Sequence, residues 1–120
     1  MYFFDTYAII EVVKGNSNYS PYMEETIFTT INNLAEVYYY FLRETNKETA
    51  DQSIAKLDIS FVEITEDNAI EAASFRYKYK NKKMSFIDCI GYIVAINNNL
   101  LFLTGDDDFK DGFENVEFVK

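Results

Sequence analysis

The sequence predicts an α/β layered domain with a mostly parallel sheet. Three observations lead there. Short apolar runs, Tyr2-Phe3-Phe4 and Leu100-Leu101-Phe102-Leu103, stop abruptly at polar residues, as strands buried on both faces do. Segments of helical apolar spacing alternate with them, the pattern of a layered domain with parallel strands. Acids follow these runs, Asp5 after the first and Asp106 after the second, while Asp88 interrupts an apolar helix. In open parallel sheets the functional crevice lies beyond the carboxyl ends of the strands. Asp5 and Asp106 are therefore expected at that edge, where a cation would relieve their repulsion.

Each element has a local reason. The first strand covers about residues 2–5, and a helix over 6–14 stops at Gly15, a residue suited to a left-handed helix end. Residues 16–21 read as a loop, with Pro21 placed to begin a short helical turn. Ile27-Phe28-Thr29 is a strand. A helix from Thr30 to Glu44 follows, with the stripe Ile31, Leu34, Tyr38, Phe41 and Leu42. Thr49 and Gln52 suggest a capping box for a helix over about 50–57. Ile59 to Ile64 reads as a strand, and Thr65 caps a helix running to about Lys80. Ser85 opens the apolar helix to about Asn97. Residues 100–103 form a buried strand, and Val116 to Val119 alternates as a final edge strand.

Composition narrows the chemistry. The 120 residues suit one domain spanning 1–120, and 48% apolar content with 18% aromatic residues rules out a disordered chain. No stretch approaches the ~20 apolar residues of a membrane span, and no signal peptide is visible. The lone Cys89 cannot form an internal disulfide, so a cytoplasmic protein is expected. Histidine is absent, which removes imidazole-based catalysis and ordinary zinc sites. Gly15, Gly91, Gly105 and Gly112 are too scattered for a phosphate loop. Carboxylates, hydroxyls, lysine and arginine remain, and oxygen-rich sites select Mg2+ or Mn2+. The net charge of −9 argues against broad nonspecific affinity for nucleic acid. It does not exclude a phosphodiester substrate held through divalent ions.

Each candidate acid has an ordinary alternative. Asp5 stands where a helix N-cap is needed. Glu36 falls away from the apolar stripe, near Asn32, Tyr40 and Arg43, where a solvated glutamate is the simplest reading. Ser85-Phe86-Ile87-Asp88 matches a capping box, yet the helix it opens is apolar on nearly every side, and a buried unpaired carboxylate is very costly. Asp106, Asp107 and Asp108 suit a solvated turn in which Gly105 supplies unusual backbone angles. A bound cation would also relieve their crowding, with Thr104 orienting one carboxylate. Arg76, Lys78, Lys80, Lys82 and Lys83 interleave with Tyr77 and Tyr79. That suits a nucleic-acid strand, but the pattern is also that of cations completing the dipole of an acid-led helix. Tyr38-Tyr39-Tyr40-Phe41 covers more than one helix face, so part of it is expected as an exposed apolar patch.

The order of these features resembles the PIN domain family, in particular the small VapC-like ribonuclease toxins. The matching segments are the strand into Asp5-Thr6, Thr30 through Glu36, Met84-Ser85-Phe86-Ile87-Asp88, and Leu103-Thr104-Gly105-Asp106-Asp107-Asp108-Phe109. The resemblance implies a three-layer αβα fold with helices on both faces of a central, mostly parallel sheet of about five strands. It implies metal-binding, catalytic acids at Asp5, Glu36, Asp88 and Asp106, with Asp108 as a further metal-binding acid. It implies supporting hydroxyls at Thr6 and Thr104. It further implies Mg2+ or Mn2+ as cofactor, RNA as substrate, an antitoxin partner and a homodimer. An RNA-processing role, or a non-catalytic interaction module on the same fold, is the alternative. A phospho-acceptor receiver domain fits less well, because Ile59 to Ile64 leads to Thr65 and not to an aspartate.

Overall fold

A computed structural model describes residues 1–120. Its five strands are β1 (Tyr2–Phe4), β2 (Ile27–Thr29), β3 (Ile59–Phe61), β4 (Leu101–Thr104) and β5 (Val116–Phe118). They form one sheet in the order β3-β2-β1-β4-β5, and every pairing is parallel. The helices are α1 (Thr6–Lys14), α2 (Ile31–Glu44), α3 (Lys47–Ala55), α4 (Glu66–Lys78) and α5 (Phe86–Asn97). The expected three-layer α/β architecture is therefore present.

Strand alternation builds the two cores. Phe4, Leu103 and Ile27 face α1, α2 and α3, where they pack with Ala8, Ile9, Val37, Phe41 and Ala50. Phe3 and Phe102 face the other way, against α4 and α5, with Ala72, Cys89, Tyr92, Ile93 and Val94. Successive strand residues point to opposite faces, so two adjacent apolar residues in β1 serve two different cores. The chain first moves outward from β1 to β3. It then returns through α4 and α5 to lay β4 on the other flank of β1. The order reverses between β1 and β4, which is the topological switch point where doubly wound sheets open a crevice.

Several local expectations shift. β3 is three residues long and not six; Val62 continues only one backbone bond, to the Thr29 carbonyl at 2.8 Å. Helix α3 starts at Lys47, because Asn46 accepts the Thr49 N–H and caps it three residues earlier than the Thr49 box would. Pro21 lies inside a 3-10 helix, Ser17–Tyr22, and does not begin a turn. The buried face of α2 is Asn33, Val37 and Phe41, whereas Ile31 is 61% exposed. The apolar-stripe count missed this face because its N-terminal member is an asparagine. Tyr39 is 62% exposed, as the crowded aromatic run required.

Gly105 has an ordinary backbone and not the positive φ expected of it; Gly15 and Gly112 take that role. Its requirement is space. A Cβ there would lie 2.2 Å from the Tyr7 ring and 2.4 Å from the Val119 carbonyl oxygen. That same oxygen accepts the Tyr19 hydroxyl at 2.6 Å. Gly105→Ala must push β5 away from the end of β4. An equilibrium urea titration is expected to show a loss on the order of 3 kcal/mol, against little change for Gly112→Asn, which sits at positive φ with nothing near it.

Candidate functional site

β1 carries Asp5 to the middle of the sheet's carboxyl edge. The residue occupies the N-cap position of α1, yet its side chain caps no helix N–H. The capping alternative for Asp5 therefore does not hold. Thr104 Oγ1, at the end of the neighbouring β4, donates to Asp5 Oδ2 at 2.8 Å. Oδ1 is buried with no hydrogen-bond partner. The residue is 2% exposed. Burial first, then the charges of Asp88 and Asp106, push its pKa up to about 8 against the opposing pull of the Thr104 hydroxyl and the nearby Thr6 backbone N–H.

Thr104 also organises the next acid. Its Oγ1 accepts the Asp106 N–H at 3.1 Å, and Asp106 Oδ1 accepts the Asp108 N–H at 3.0 Å, capping a 3-10 turn over Asp107–Phe109. The run of three acids is thereby split. Asp107 turns outward to an ion pair with Lys120 at 2.7 Å. Asp108 stays half-buried, with its carbonyl accepting Lys82 Nζ at 3.3 Å. The charges that raise Asp5 and Asp88 are those of the other acids, and Asp108 is not among them. It lies at the rim.

Glu36 is drawn in by hydroxyls. Thr6 Oγ1 donates to Glu36 Oε1 at 2.6 Å. Thr6 in turn accepts from Asn33 Nδ2 at 3.0 Å, and Asn33 Oδ1 accepts from Thr30 Oγ1 at 2.6 Å. Thr30 is the N-cap of α2. A chain of four polar side chains thus runs from the α2 cap to Glu36, which corrects the solvated-glutamate reading. Asn33, fully buried, is the residue the sequence reading missed. The available signal was Thr30-x-x-Asn33, a cap pattern with an amide in place of the usual acid.

Asp88 does two things at once. Its Oδ2 accepts the Ser85 N–H at 2.9 Å, and its N–H donates to Ser85 Oγ at 3.1 Å, so the capping box is real. Only one carboxylate oxygen is spent on it. Burial, then the charges of Asp106 and Glu36, push its pKa up to about 6. The first turn of α5 is less buried than its sequence suggested: Phe86 is exposed, and the buried run begins at Cys89. Arg76 and Lys78 complete the last turn of α4, in keeping with the dipole reading of the basic stretch.

Asp5 and Asp106 share the Thr104 hydroxyl, Asp88 and Asp106 act on Asp5 through their charges, and Glu36 acts likewise on Asp88. No three acidic side chains stand close enough to make a finished metal cluster in this structure. The donor set still fits a hard divalent cation: it is all oxygen, and the buried Asp5 Oδ1 has no hydrogen-bond partner within the protein. Asp5, Asp88 and Asp106 would hold such an ion, with Glu36 alongside.

The raised pKa values set a direction for stability. An acid that holds its proton to about pH 8 when folded, but to 3.8 by its ordinary value, favours the folded state at low pH. That advantage is lost as pH rises through the window from about 4 to 8. Metal-free protein is expected to show a thermal midpoint that falls between pH 5 and 8. Asp5→Asn should flatten this slope and raise the midpoint at pH 8, and millimolar Mn2+ should raise that of the parent protein. A parent midpoint independent of pH and Mn2+ would count against the site. Asn33→Leu releases Thr6 and Glu36, and calorimetry should find Mn2+ affinity weakened on the order of ten-fold.

The PIN domain family model matches residues 2–112. No curated protein sequence matches the chain. Solved structures do. A Mycobacterium tuberculosis VapC20, described as a sarcin-ricin loop cleaving toxin, superposes with a TM-score of 0.72 at 17% identity, covering 98% of this chain and 99% of its own. A toxin-antitoxin complex from Klebsiella pneumoniae gives 0.73 at 20% identity, over 98% and 96%. VapBC2 from Rickettsia felis, bound to a promoter DNA fragment, gives 0.77 at 19% identity, over 99% and 98%. At these identities the superpositions establish the fold, and with the match across most of the sequence the chain belongs to the PIN domain family.

Proposed function

We propose that this protein is a Mg2+- or Mn2+-dependent endoribonuclease, the toxin of a VapBC-type toxin-antitoxin pair. The observation that carries the reading is the buried Asp5 carboxylate, held by Thr104 on one oxygen and unpartnered on the other, in the field of Asp88 and Asp106. A protein gains nothing in stability from such a group, so its place is explained by a ligand. The VapC20 structure, described as that of a sarcin-ricin loop cleaving toxin, and the two toxin-antitoxin assemblies support RNA as substrate and an antitoxin as partner. A homodimer follows by analogy with such toxins.

In this mechanism the carboxylates of Asp5, Glu36, Asp88 and Asp106 would hold the ion, with Asp108 as a further candidate ligand. A bound divalent ion would supply charge stabilisation for the phosphodiester and activate water for attack. Thr104 fixes one oxygen of Asp5, which leaves the other free to face the ion. Thr6 does the same for Glu36. The Ser85 box leaves one oxygen of Asp88 available. The protein supplies no nucleophile of its own: histidine is absent, and burial pushes the Cys89 thiol up to about 11. Burial and the neighbouring acids raise the pKa of Asp5 to about 8 and of Asp88 to about 6, and a cation would bind their ionised forms, so activity is expected to rise from pH 6 to 8.

A second reading is favoured by one observation. Asp88 and Asp106 both serve as caps, which a PIN-fold module without catalysis, or one engaged in RNA processing, would also use. Purified protein incubated with RNA and Mn2+, with and without chelator, separates catalysis from its absence. Cleavage should appear only with metal, and Asp88→Asn should lower it by at least a hundred-fold. Full activity in that variant would remove Asp88 from the mechanism, and no cleavage by the parent protein would favour the non-catalytic module.

A further inference from the structure

A cleft of about 480 Å3 opens directly beside Glu36. Thr6 and Glu36, which belong to the acidic site, form one end of it. Ile10, Ala35, Tyr39, Tyr40 and Arg43 complete it. Glu36 and Arg43 are seven residues apart on α2, roughly 10 Å of helix rise, with the two tyrosines between them. The Arg43 guanidinium lies 5.7 Å from the Tyr39 ring centre and 5.6 Å from that of Tyr40. Tyr39 is exposed although it lines a cleft. Arg43 also bonds Glu44 at 3.0 Å, in an ion pair about half exposed on both sides that an incoming anion readily exchanges.

We propose that this cleft is a nucleotide subsite of the RNA substrate, with Tyr39 stacking one base and Arg43 receiving a phosphate next to it. The inference rests on the ribonuclease reading above and adds to it where the neighbouring nucleotide lies. Three features select a nucleotide over other occupants. Exposed aromatic faces beside an arginine plane are the elements that stack bases without sequence preference. Arg43 is the only cation lining the cleft, and in a chain of net charge −9 the positive charge that meets an anionic strand must be local. The cleft also shares Glu36 and Thr6 with the acidic edge, so an occupant is continuous with whatever is bound there.

The test is a cycle between protein and substrate, run with Mn2+ on a short RNA oligonucleotide and on copies carrying one abasic ribose at each position in turn. Tyr39→Ala should raise KM on the order of ten-fold with little change in kcat, while Tyr39→Phe should behave as the parent. One abasic position should impair the parent to a similar extent and impair Tyr39→Ala no further. Arg43→Ala should raise KM and flatten its dependence on salt. An unchanged melting temperature and unchanged Mn2+ affinity in Tyr39→Ala would exclude a folding or metal defect. If the parent cleaves RNA and Tyr39→Ala cleaves it equally well, the subsite is wrong, the ribonuclease reading stands, and the cleft is left to a polypeptide partner. If the variant and abasic effects simply multiply, Tyr39 does not stack that base and the inference fails. If the parent cleaves no RNA, the ribonuclease reading fails and this inference falls with it.

Discussion

The bond between Thr104 and Asp5 is the constraint on which the rest of the site depends. It joins the ends of the two strands that flank the switch point, and it holds a carboxylate where water does not reach. Three of the neighbouring groups are then specified. Thr104 spends its oxygen on the Asp106 N–H, so the β4 end and the acid after it are fixed together. Asp88 and Asp106 face the same buried group and raise its pKa. Gly105 lacks a side chain because Tyr7 and the Val119 carbonyl occupy that volume, which keeps β5 close against the same edge.

This arrangement opposes stability in the absence of a ligand. A carboxylate buried without a second partner costs far more than the one hydrogen bond from Thr104 returns, and two further acids nearby increase the cost. The surrounding structure has to compensate: two apolar cores, one on each face of the sheet, carry β1 and β4 so firmly that the Asp5 side chain has no room to retreat to solvent. Functional sites commonly retain such locally unfavourable groups. Protonation is the relief open to the metal-free protein, and under the proposed function a bound cation would relieve the charged form.

Much of this was legible in the sequence, for physical reasons that differ by element. β1 and β4 were readable because strands buried on both faces are continuously apolar and end sharply. α5 was readable because Ser85 and Asp88 form their cap locally. α2 was located correctly but rotated in the reading: its buried face begins with Asn33, and an apolar count cannot register an asparagine that is buried to hold Thr6. α3 was misplaced at its start because Asn46 and Thr49 are both competent caps, and the choice between them is made by packing. The candidate acids stand out through their places after strands and through the family resemblance, neither of which carries their bonding. That Asp5 does not cap its helix, that Thr6 binds Glu36, and that Asp107 leaves the group for Lys120 are all consequences of contacts between residues far apart in the chain.

Burial and the neighbouring acids favour the protonated form of Asp5 at the sheet edge, and under the proposed function a divalent cation would displace that proton. Calorimetric titration of metal-free protein with Mn2+ at pH 7, repeated in buffers of different ionisation enthalpy, measures that displacement directly. The account predicts saturable binding with release of about one proton per ion, and a release that is lost in Asp5→Asn. Binding with no proton released from the parent protein, or no binding at all, would contradict it.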